Sequence, residues 1–258
     1  MPTKRELYDY LDSIMPKTLS CEWDNDGFMC CPDPDAEVKR ILFVLDCTSD
    51  IADYAIANGF DTVITHHPLI FRQELKTFNT DNPLSKKLIK LVKNDVTVMS
   101  FHTRLDTVAG GVNDALAEVL GLTEVVPFNI FGQEMGRVGL LPNEMSADEL
   151  AVYVKEKLGS QWVNFNGKID KIKKLAVLGG AGGGDVISAA TETGAQAYLT
   201  GELGDRPLTD TCDYSINLYE AGHYYTECHV LKKLAQTISS KFSSITYEIF
   251  NSHSSKTV

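Results

Sequence analysis

The chain has 258 residues, 43% of them hydrophobic and 23% charged, a composition typical of a folded protein with room for one large α/β domain or two lobes. Its 24 basic and 35 acidic residues give a formal net charge of −11 with no basic run, which argues against generic binding to the phosphate backbone of nucleic acid. The amino terminus has no apolar core like that of a signal peptide, and no apolar run is long enough to span a membrane. We therefore expect a cytoplasmic protein that does not contact a membrane.

The first half of the chain alternates predicted helices and strands. Thr3 and Glu6 have the spacing of a capping box, which predicts a helix from there to about Met15. The elements that follow are a strand over 38–45, a helix capped by Ser49 and ending near 59, a strand over 61–65, a helix from Pro83 to about 94, a strand over 96–101 and a helix over 112–120. This alternation predicts βαβ units and mostly parallel sheets.

The second half repeats the pattern. Ser146 and Glu149 form another capping box, which predicts a helix to about Leu158. Further along we expect a strand over 172–178, a glycine-rich loop over 179–185 with a helix after it, strands over 196–200 and 216–219, a long helix from about 223 to 239, and a strand over 245–250. The region 127–132 is interpreted as the join between two similar lobes, residues 1–127 and residues 128–258.

Polar and reactive residues are concentrated just after the predicted strands. In open α/β sheets, ligands bind at the carboxyl ends of the strands. The residues at these ends include Asp46, His66, His67, His102, the glycine-rich loop, Glu202 and His223. The sequence therefore predicts a functional site along this rim, and imidazole and carboxylate ligands are the mixture that divalent first-row metals bind.

Each candidate ligand also has an ordinary structural interpretation. His66 and His67 can share a site only where the strand has ended, since neighbours in a strand point to opposite faces, and the alternative is one buried and one surface histidine. Asp106 can bridge two cations or cap the following helix. His223 and Glu227 are spaced i,i+4, which places them on one helix face, but such pairs also arise by chance on solvated helices.

Three other features carry less functional information. The loop over 179–185 fits neither the dinucleotide nor the P-loop fingerprint, so it is either an anion-binding turn or simply a tight strand-to-helix turn. The segment from Trp23 to Gly27 is interpreted as a turn beside an aromatic anchor. The cysteines are expected to be reduced thiols, because none forms a C-x-x-C pair. They are Cys21, Cys30, Cys31, Cys47, Cys212 and Cys228.

A set of short motifs, in order along nearly the whole chain, closely resembles the Nif-three-like dinuclear-metal proteins, which are often labelled GTP cyclohydrolase type-two homologs. The motifs are Trp23-Asp24-Asn25 with Gly27, Thr65-His66-His67-Pro68-Leu69, His102-Thr103 with Leu105-Asp106, Gly111 with Asn113, Thr200-Gly201-Glu202, and Ala221-Gly222-His223 with Thr226-Glu227. The length is that of the short form, which has no inserted domain. One departure is that Leu203-Gly204-Asp205-Arg206 stands where many members have a histidine.

The resemblance implies two interlocked α/β lobes with mostly parallel or mixed sheets, a metal site between them, and a toroidal homohexamer. Two divalent cations per chain, such as Zn, Fe or Mn, would be expected. Carried across motif by motif, the metal ligands fall on His66, His67, Asp106, His223 and Glu227. His102 and Glu202 fall near the site and are the residues predicted to move protons.

Two functions are compatible with this pattern. The first is a metal-dependent hydrolase of the GTP cyclohydrolase kind, which acts on a nucleotide or a related small molecule. The second is a non-catalytic, hexameric metal-binding or adaptor protein. An open coordination position with a polar pocket around it distinguishes the enzyme from a closed structural site.

Overall fold

The structure, a computed structural model, describes residues 1–71, 75, 77–204 and 214–250. Its α-helices are α1 Lys4–Ile14, α2 Ser49–Ala57, α3 Pro83–Lys93, α4 Thr103–Thr107, α5 Val112–Val119, α6 Ala147–Leu158, α7 Asp185–Glu192, α8 His223–Glu227 and α9 Val230–Lys241. Its strands are β1 Gly27–Cys30, β2 Arg40–Val44, β3 Thr62–Thr65, β4 Thr97–Ser100, β5 Thr123–Ile130, β6 Gln133–Met145, β7 Asn164–Phe165, β8 Ile172–Ala181, β9 Ala197–Glu202, β10 Asn217–Glu220 and β11 Thr246–Ile249. The predicted alternation of helices and strands is confirmed.

Both predicted capping boxes are present. Thr3 Oγ1 accepts a hydrogen bond from the Glu6 amide at 3.1 Å, and Glu6 Oε2 accepts one from the Thr3 amide at 2.8 Å. Ser146 and Glu149 make the same reciprocal pair at the start of α6. Helix α2 begins differently from the prediction, because Thr48 rather than Ser49 caps it through a 3.2 Å bond from the Ile51 amide.

One segment has a structure that the sequence did not indicate, and another differs from its predicted structure. The region interpreted as a join between lobes is a β-hairpin, in which β5 pairs antiparallel with β6 and Ile130 lies opposite Gln133. Its two-residue turn has positive φ at Phe131 (55°) and Gly132 (80°), as the favoured hairpin turns require. The long helix predicted from residue 223 is interrupted after Glu227, so that α8 and α9 are separate helices.

The described residues divide into two compact units, of which the first comprises the described residues of 1–105 and 231–250. Its sheet has the strand order β1-β4-β3-β2-β11, and all neighbours are parallel except β1 and β4. Buried aliphatic residues such as Leu42, Val63 and Val98 form the core of this unit. The carboxyl ends of β2, β3 and β4 lie side by side, since Val44 pairs with Thr65 and Thr65 with Ser100.

The second unit comprises, among the described residues, 106–204 and 214–230. Its sheet has the order β5-β6-β8-β9-β10-β7, in which β8, β9 and β10 are parallel and the other pairs are antiparallel. Strand β8 continues through Gly179 and Gly180, the first residues of the predicted glycine-rich loop. The predicted α/β class with mixed sheets is confirmed, while the lobe boundary after residue 127 stays a prediction.

Two further predictions concern membrane-spanning helices and disulfides. Within the described ranges, no helix combines the length and the apolar character that crossing a bilayer requires. The cysteines of these ranges form no disulfide, and Cys212 lies outside the described residues.

Candidate metal centre

Three histidines converge at the carboxyl ends of β3 and β4 in the first unit. The ring centroids of His66 and His67 are 4.9 Å apart, and that of His102 lies 5.2 Å from the first and 5.8 Å from the second. Each ring offers a nitrogen, and these nitrogens all lie within 4.8 Å of one another. His66 is fully buried and 22% of the His67 side chain is exposed, yet both rings reach the same place because the strand has ended at Thr65.

Each of these imidazoles is anchored through its Nδ1 atom. Nδ1 of His66 lies 3.0 Å from the backbone oxygen of Phe101, that of His67 lies 2.9 Å from Asp46 Oδ1, and that of His102 lies 2.9 Å from Asp24 Oδ1. A carbonyl or carboxylate oxygen can only accept, so Nδ1 carries the proton and the neutral ring keeps its lone pair on Nε2. This is the tautomer that metal-ligating histidines adopt when an oxygen orients them from behind.

Asp24, in the turn at Trp23–Gly27, holds His102 and Thr103 in place. Its wholly buried carboxylate accepts from His102, from the Thr103 amide at 3.0 Å and from Thr103 Oγ1 at 2.6 Å. Burial raises the pKa of Asp24, but the hydrogen bonds from His102 and Thr103 outweigh that effect and hold the pKa well below its usual range. The carboxylate is therefore ionised at neutral pH.

Asp26, in the same turn, is held by a buried arginine. Arg104 Nε donates to Asp26 Oδ2 at 3.0 Å and Nη2 donates to Oδ1 at 2.9 Å, which is the bidentate geometry of strong arginine–carboxylate pairs. Asp12 accepts from the same guanidinium at 2.6 Å. Burial raises the pKa of Asp26, but the bonds from Arg104 and Lys17 lower it below its ordinary value. This pair fixes the segment that carries His102.

Asp26→Asn is expected to lower the free energy of unfolding by about 3 kcal/mol, since the buried Arg104 would keep only one carboxylate. Because the pKa of Asp26 is depressed below an unfolded value of about 3.9, its contribution is present above that pH and is lost as the pH falls through the folded pKa. Urea unfolding from about pH 3 to about pH 7 measures both effects. The control is Asp12→Asn, whose 40%-exposed carboxylate holds the same arginine and is expected to cost less than about 1 kcal/mol. Equal losses from the two variants would contradict the prediction.

A second group of donors lies in the second unit, at the ends of β9 and β10. Nε2 of His223 is 3.1 Å from Glu227 Oε1, so the i,i+4 pair does share one face of α8. Nδ1 of the same ring is 3.3 Å from Oε1 of Glu202, the last residue of β9. Glu227 is buried, whereas 57% of the Glu202 side chain is exposed.

Gly180 allows the backbone of β8 to approach this pair. A Cβ atom added at Gly180 would lie 2.3 Å from Glu227 Oε1 and 3.2 Å from His223 Nε2, and the residue has a φ of +73° that favours glycine. The predicted glycine-rich loop therefore does more than turn the chain. Its second glycine makes space for the two donors.

Asp106 is buried in α4, and its surroundings in the second unit explain another motif. Asn113 Nδ2 donates to the Asp106 backbone oxygen at 3.0 Å, and Asn113 Oδ1 accepts from the Gly179 amide at 2.7 Å. Asp106 is not the N-cap of α5, because Gly111 occupies that position and makes no side-chain capping bond. Asn113 thus links the backbone of Asp106 to β8, the strand that approaches His223 and Glu227.

The chemistry of these donors fits divalent first-row cations. Imidazole nitrogens with a fixed tautomer and carboxylates of which two are buried, Asp106 and Glu227, are suited to Zn, Fe or Mn. The assignment of His66, His67, Asp106, His223 and Glu227 as metal ligands stays a prediction.

A model of the Duf34/NIF3 (NGG1p interacting factor 3) family matches residues 2–257. The chain belongs to the Duf34/NIF3 family. A relative from Clostridium perfringens (strain 13 / Type A), named GTP cyclohydrolase 1 type 2 homolog, is 32% identical over 244 residues, which are 93% of this chain and 92% of the relative. The Protein NIF3 homolog of Schizosaccharomyces pombe (strain 972 / ATCC 24843) is 30% identical over 253 residues, with 92% and 89% covered.

Two solved structures with which the chain was compared have the same fold. The crystal structure of Staphylococcus aureus hypothetical protein SA1388 superimposes with a TM-score of 0.89 at 26% identity, with 99% of each chain covered. Reduced HcgD from Methanocaldococcus jannaschii gives a TM-score of 0.83 at 30% identity, with 96% of this chain and 97% of that chain covered. The predicted family resemblance is confirmed.

Four residues of the site occur in the predicted rim or motifs, but the sequence did not show what they contact. Asp24 and Asp46 anchor two of the histidines, and Asn113 and Gly180 organise the donors of the second unit. Asp24 lies 78 positions from His102, so no local spacing connects them. The available signals were the presence of Asp24 and Asn113 in motifs shared with the family and the position of Asp46 and Gly180 at the ends of predicted strands.

Proposed function

We propose that this Duf34/NIF3 protein binds two divalent cations per chain and is a metal-dependent hydrolase of a nucleotide or a related small molecule. The observation that carries the proposal is the anchoring of three imidazoles by oxygen acceptors, which leaves each neutral ring with its lone pair on Nε2. The pair of His223 and Glu227 in the other unit adds a nitrogen and a carboxylate. Two cations need more donors than either group offers by itself.

In this proposal Asp106 would be the carboxylate shared by both cations, and the other ligands would be His66, His67, His223 and Glu227. When bound, a pair of cations supplies a polarised bond and a hydroxide nucleophile at neutral pH. Glu202 moves the proton, because its exposed carboxylate is within ion-pair distance of His223 and can exchange protons with solvent.

The names of relatives support the substrate class. Several are called GTP cyclohydrolase 1 type 2 homolog, and that reaction would open the purine ring of a nucleotide by hydrolysis. The net negative charge of the chain is compatible with a nucleotide substrate, because cations in the site would bind the phosphates of the nucleotide.

The alternative is a non-catalytic metal-binding or adaptor protein. Solvent access favours the enzyme: 22% of the His67 side chain, 33% of His223 and 57% of Glu202 are exposed. A structural metal site is closed by four protein ligands, whereas a catalytic site leaves a position for water or substrate. A screen of nucleotides and amides with the fully metallated protein tests the choice, and no turnover of any of them would favour the adaptor function.

Glu202→Gln is expected to keep the metal content and to reduce hydrolysis by about 10²–10⁴-fold, since the amide preserves shape but cannot accept a proton. His66→Ala is expected to lower metal content and activity together, because it removes a ligand. Steady-state assays with elemental analysis measure both. The matched control is Glu220→Gln at the end of the neighbouring strand, whose carboxylate accepts from the Leu203 amide at 3.2 Å. Wild-type turnover by Glu202→Gln would remove Glu202 from the mechanism while leaving the metal site in place.

The homohexamer implied by the resemblance is also a proposal. Light scattering at micromolar protein is expected to give a mass of six chains. A stable monomer would contradict the assembly without affecting the metal site.

A further inference from the structure

His102 is placed with the metal-binding histidines, although the family resemblance does not give it that role. Its ring lies 5.2 Å from the ring of His66 and 5.8 Å from that of His67. Trp23 and Phe71 contact its ring at centroid distances of 6.0 and 6.1 Å with edge-on geometry. The imidazole is therefore packed between two aromatic side chains and two other imidazoles.

We propose that His102 is a third imidazole donor to the cation at His66 and His67, and that Asp24 is the positioning residue that holds it there. This inference rests on the proposed function only in requiring a divalent cation at these histidines. It replaces the proton-moving role that the sequence analysis gave to His102, and it gives the Trp23–Gly27 turn a function.

The position of the ring nitrogens supports a ligand. The three donor nitrogens lie within 4.8 Å of one another, so a single cation with bonds of about 2.0–2.1 Å can draw them together with small movements. Three histidines with a fourth position for water or substrate are an established catalytic arrangement for zinc. The set is contained within the first compact unit.

The contacts of Asp24 support the positioning role. Its Oδ1 fixes the tautomer of His102, and its Oδ2 is occupied by two bonds from Thr103. The carboxylate is wholly buried, whereas the corresponding partner of His67, Asp46, has a side chain that is 59% exposed. A carboxylate behind a ligating imidazole orients the ring and increases its basicity. Asp24 is the more rigid of the two anchors because solvent cannot compete for it.

Titration of the metal-free full chain with Co²⁺, followed by visible absorption, tests both parts. His102→Ala is expected to weaken Co²⁺ binding by at least about 10-fold and to change the absorption bands, because a nitrogen donor is lost. Asp24→Asn is expected to weaken binding by about 10–100-fold, as for other partners that orient a ligand. The control is Thr103→Val, which removes a donor to the same carboxylate but leaves the bond between Asp24 and His102. It is expected to bind Co²⁺ like the wild type.

Nitrogen-15 NMR of the metal-free, histidine-labelled protein separates positioning from simple stability. The wild type is expected to carry the His102 proton on Nδ1, whereas Asp24→Asn is expected to populate the Nε2 tautomer, since an amide can donate as well as accept. A tautomer and a Co²⁺ affinity that do not change in Asp24→Asn would overturn the role of Asp24. Because His102 is partly exposed, His102→Ala tests the ligand role even if Asp24→Asn does not fold.

The remaining outcomes distinguish this inference from the proposed function. Wild-type affinity and unchanged absorption in His102→Ala would overturn the third donor and leave the dinuclear hydrolase intact. A wild-type protein that binds no Co²⁺ would overturn both. Altered Co²⁺ binding in His102→Ala, beside a protein that hydrolyses nothing, would support the third donor and reject the enzyme.

Discussion

Asp106→Ala is expected to remove both divalent cations, taking the protein from close to two metals per chain to none. The five ligands that the resemblance implies, even with His102 added, are enough for two cations only if one carboxylate is shared and solvent completes the shells. Asp106 is suited to the bridge because it is buried and its backbone is held by Asn113 at 3.0 Å. Removal of a ligand that binds only one cation would instead release only that cation.

Elemental analysis of protein purified without chelator and then reconstituted measures this result. Asp148→Ala is the control, since Asp148 is an exposed carboxylate in the first turn of α6. That variant is expected to keep the wild-type metal content. Only one metal per chain in the wild type, or one retained by Asp106→Ala, would rule out a bridging carboxylate.

Gly180→Ala is expected to weaken metal binding by at least about 10-fold, because the new methyl group would lie 2.3 Å from Glu227 Oε1 and displace it from His223. The chain also offers a matched control. Gly194 has a φ of +74°, almost equal to the +73° of Gly180, but a Cβ there meets only Lys174 Nζ at an ordinary 3.9 Å. Both alanine variants therefore carry a similar backbone strain of about 1 kcal/mol.

Isothermal titration with a divalent cation and thermal unfolding, applied to both glycine variants, separate the two effects. Gly194→Ala is expected to lose only the stability that the backbone strain costs, whereas Gly180→Ala is expected to lose at least that much stability and also to lose affinity. Equal affinities in the two variants would show that the close approach of β8 does not shape the site.

The sequence was sufficient to predict those helices and strands that are marked by residues close to one another in the chain. Capping boxes at Thr3 and Ser146 fix the starts of two helices, and apolar runs mark the parallel strands of both sheets. The β5–β6 hairpin was not predicted, because Phe131 takes a left-handed conformation that sequence patterns assign to glycine or asparagine. Strand β7 was missed for another reason: its two residues are too short for any periodicity.

In the candidate site, too, the sequence predicted features that depend on neighbouring residues but not contacts between residues far apart in the chain. The candidate ligands and their positions after strands were predicted from the sequence, and the structure brings the rings of His66, His67 and His102 together. Their anchors do not follow from it. The partner of His66 is a backbone oxygen that any residue could provide, and the partners of the other two histidines are aspartates 21 and 78 positions away.

The anchoring of each imidazole through Nδ1 has a consequence for the order in which the protein matures. In zinc-finger proteins the metal organises its ligands, and folding waits for it. Here the fold itself orients the rings of His66, His67 and His102 through oxygens that belong to the protein. Folding can therefore come first and loading second, so a chelator should empty the protein without unfolding it. The identity of the bound cation would then depend on which divalent metals are available in the cell after the chain has folded.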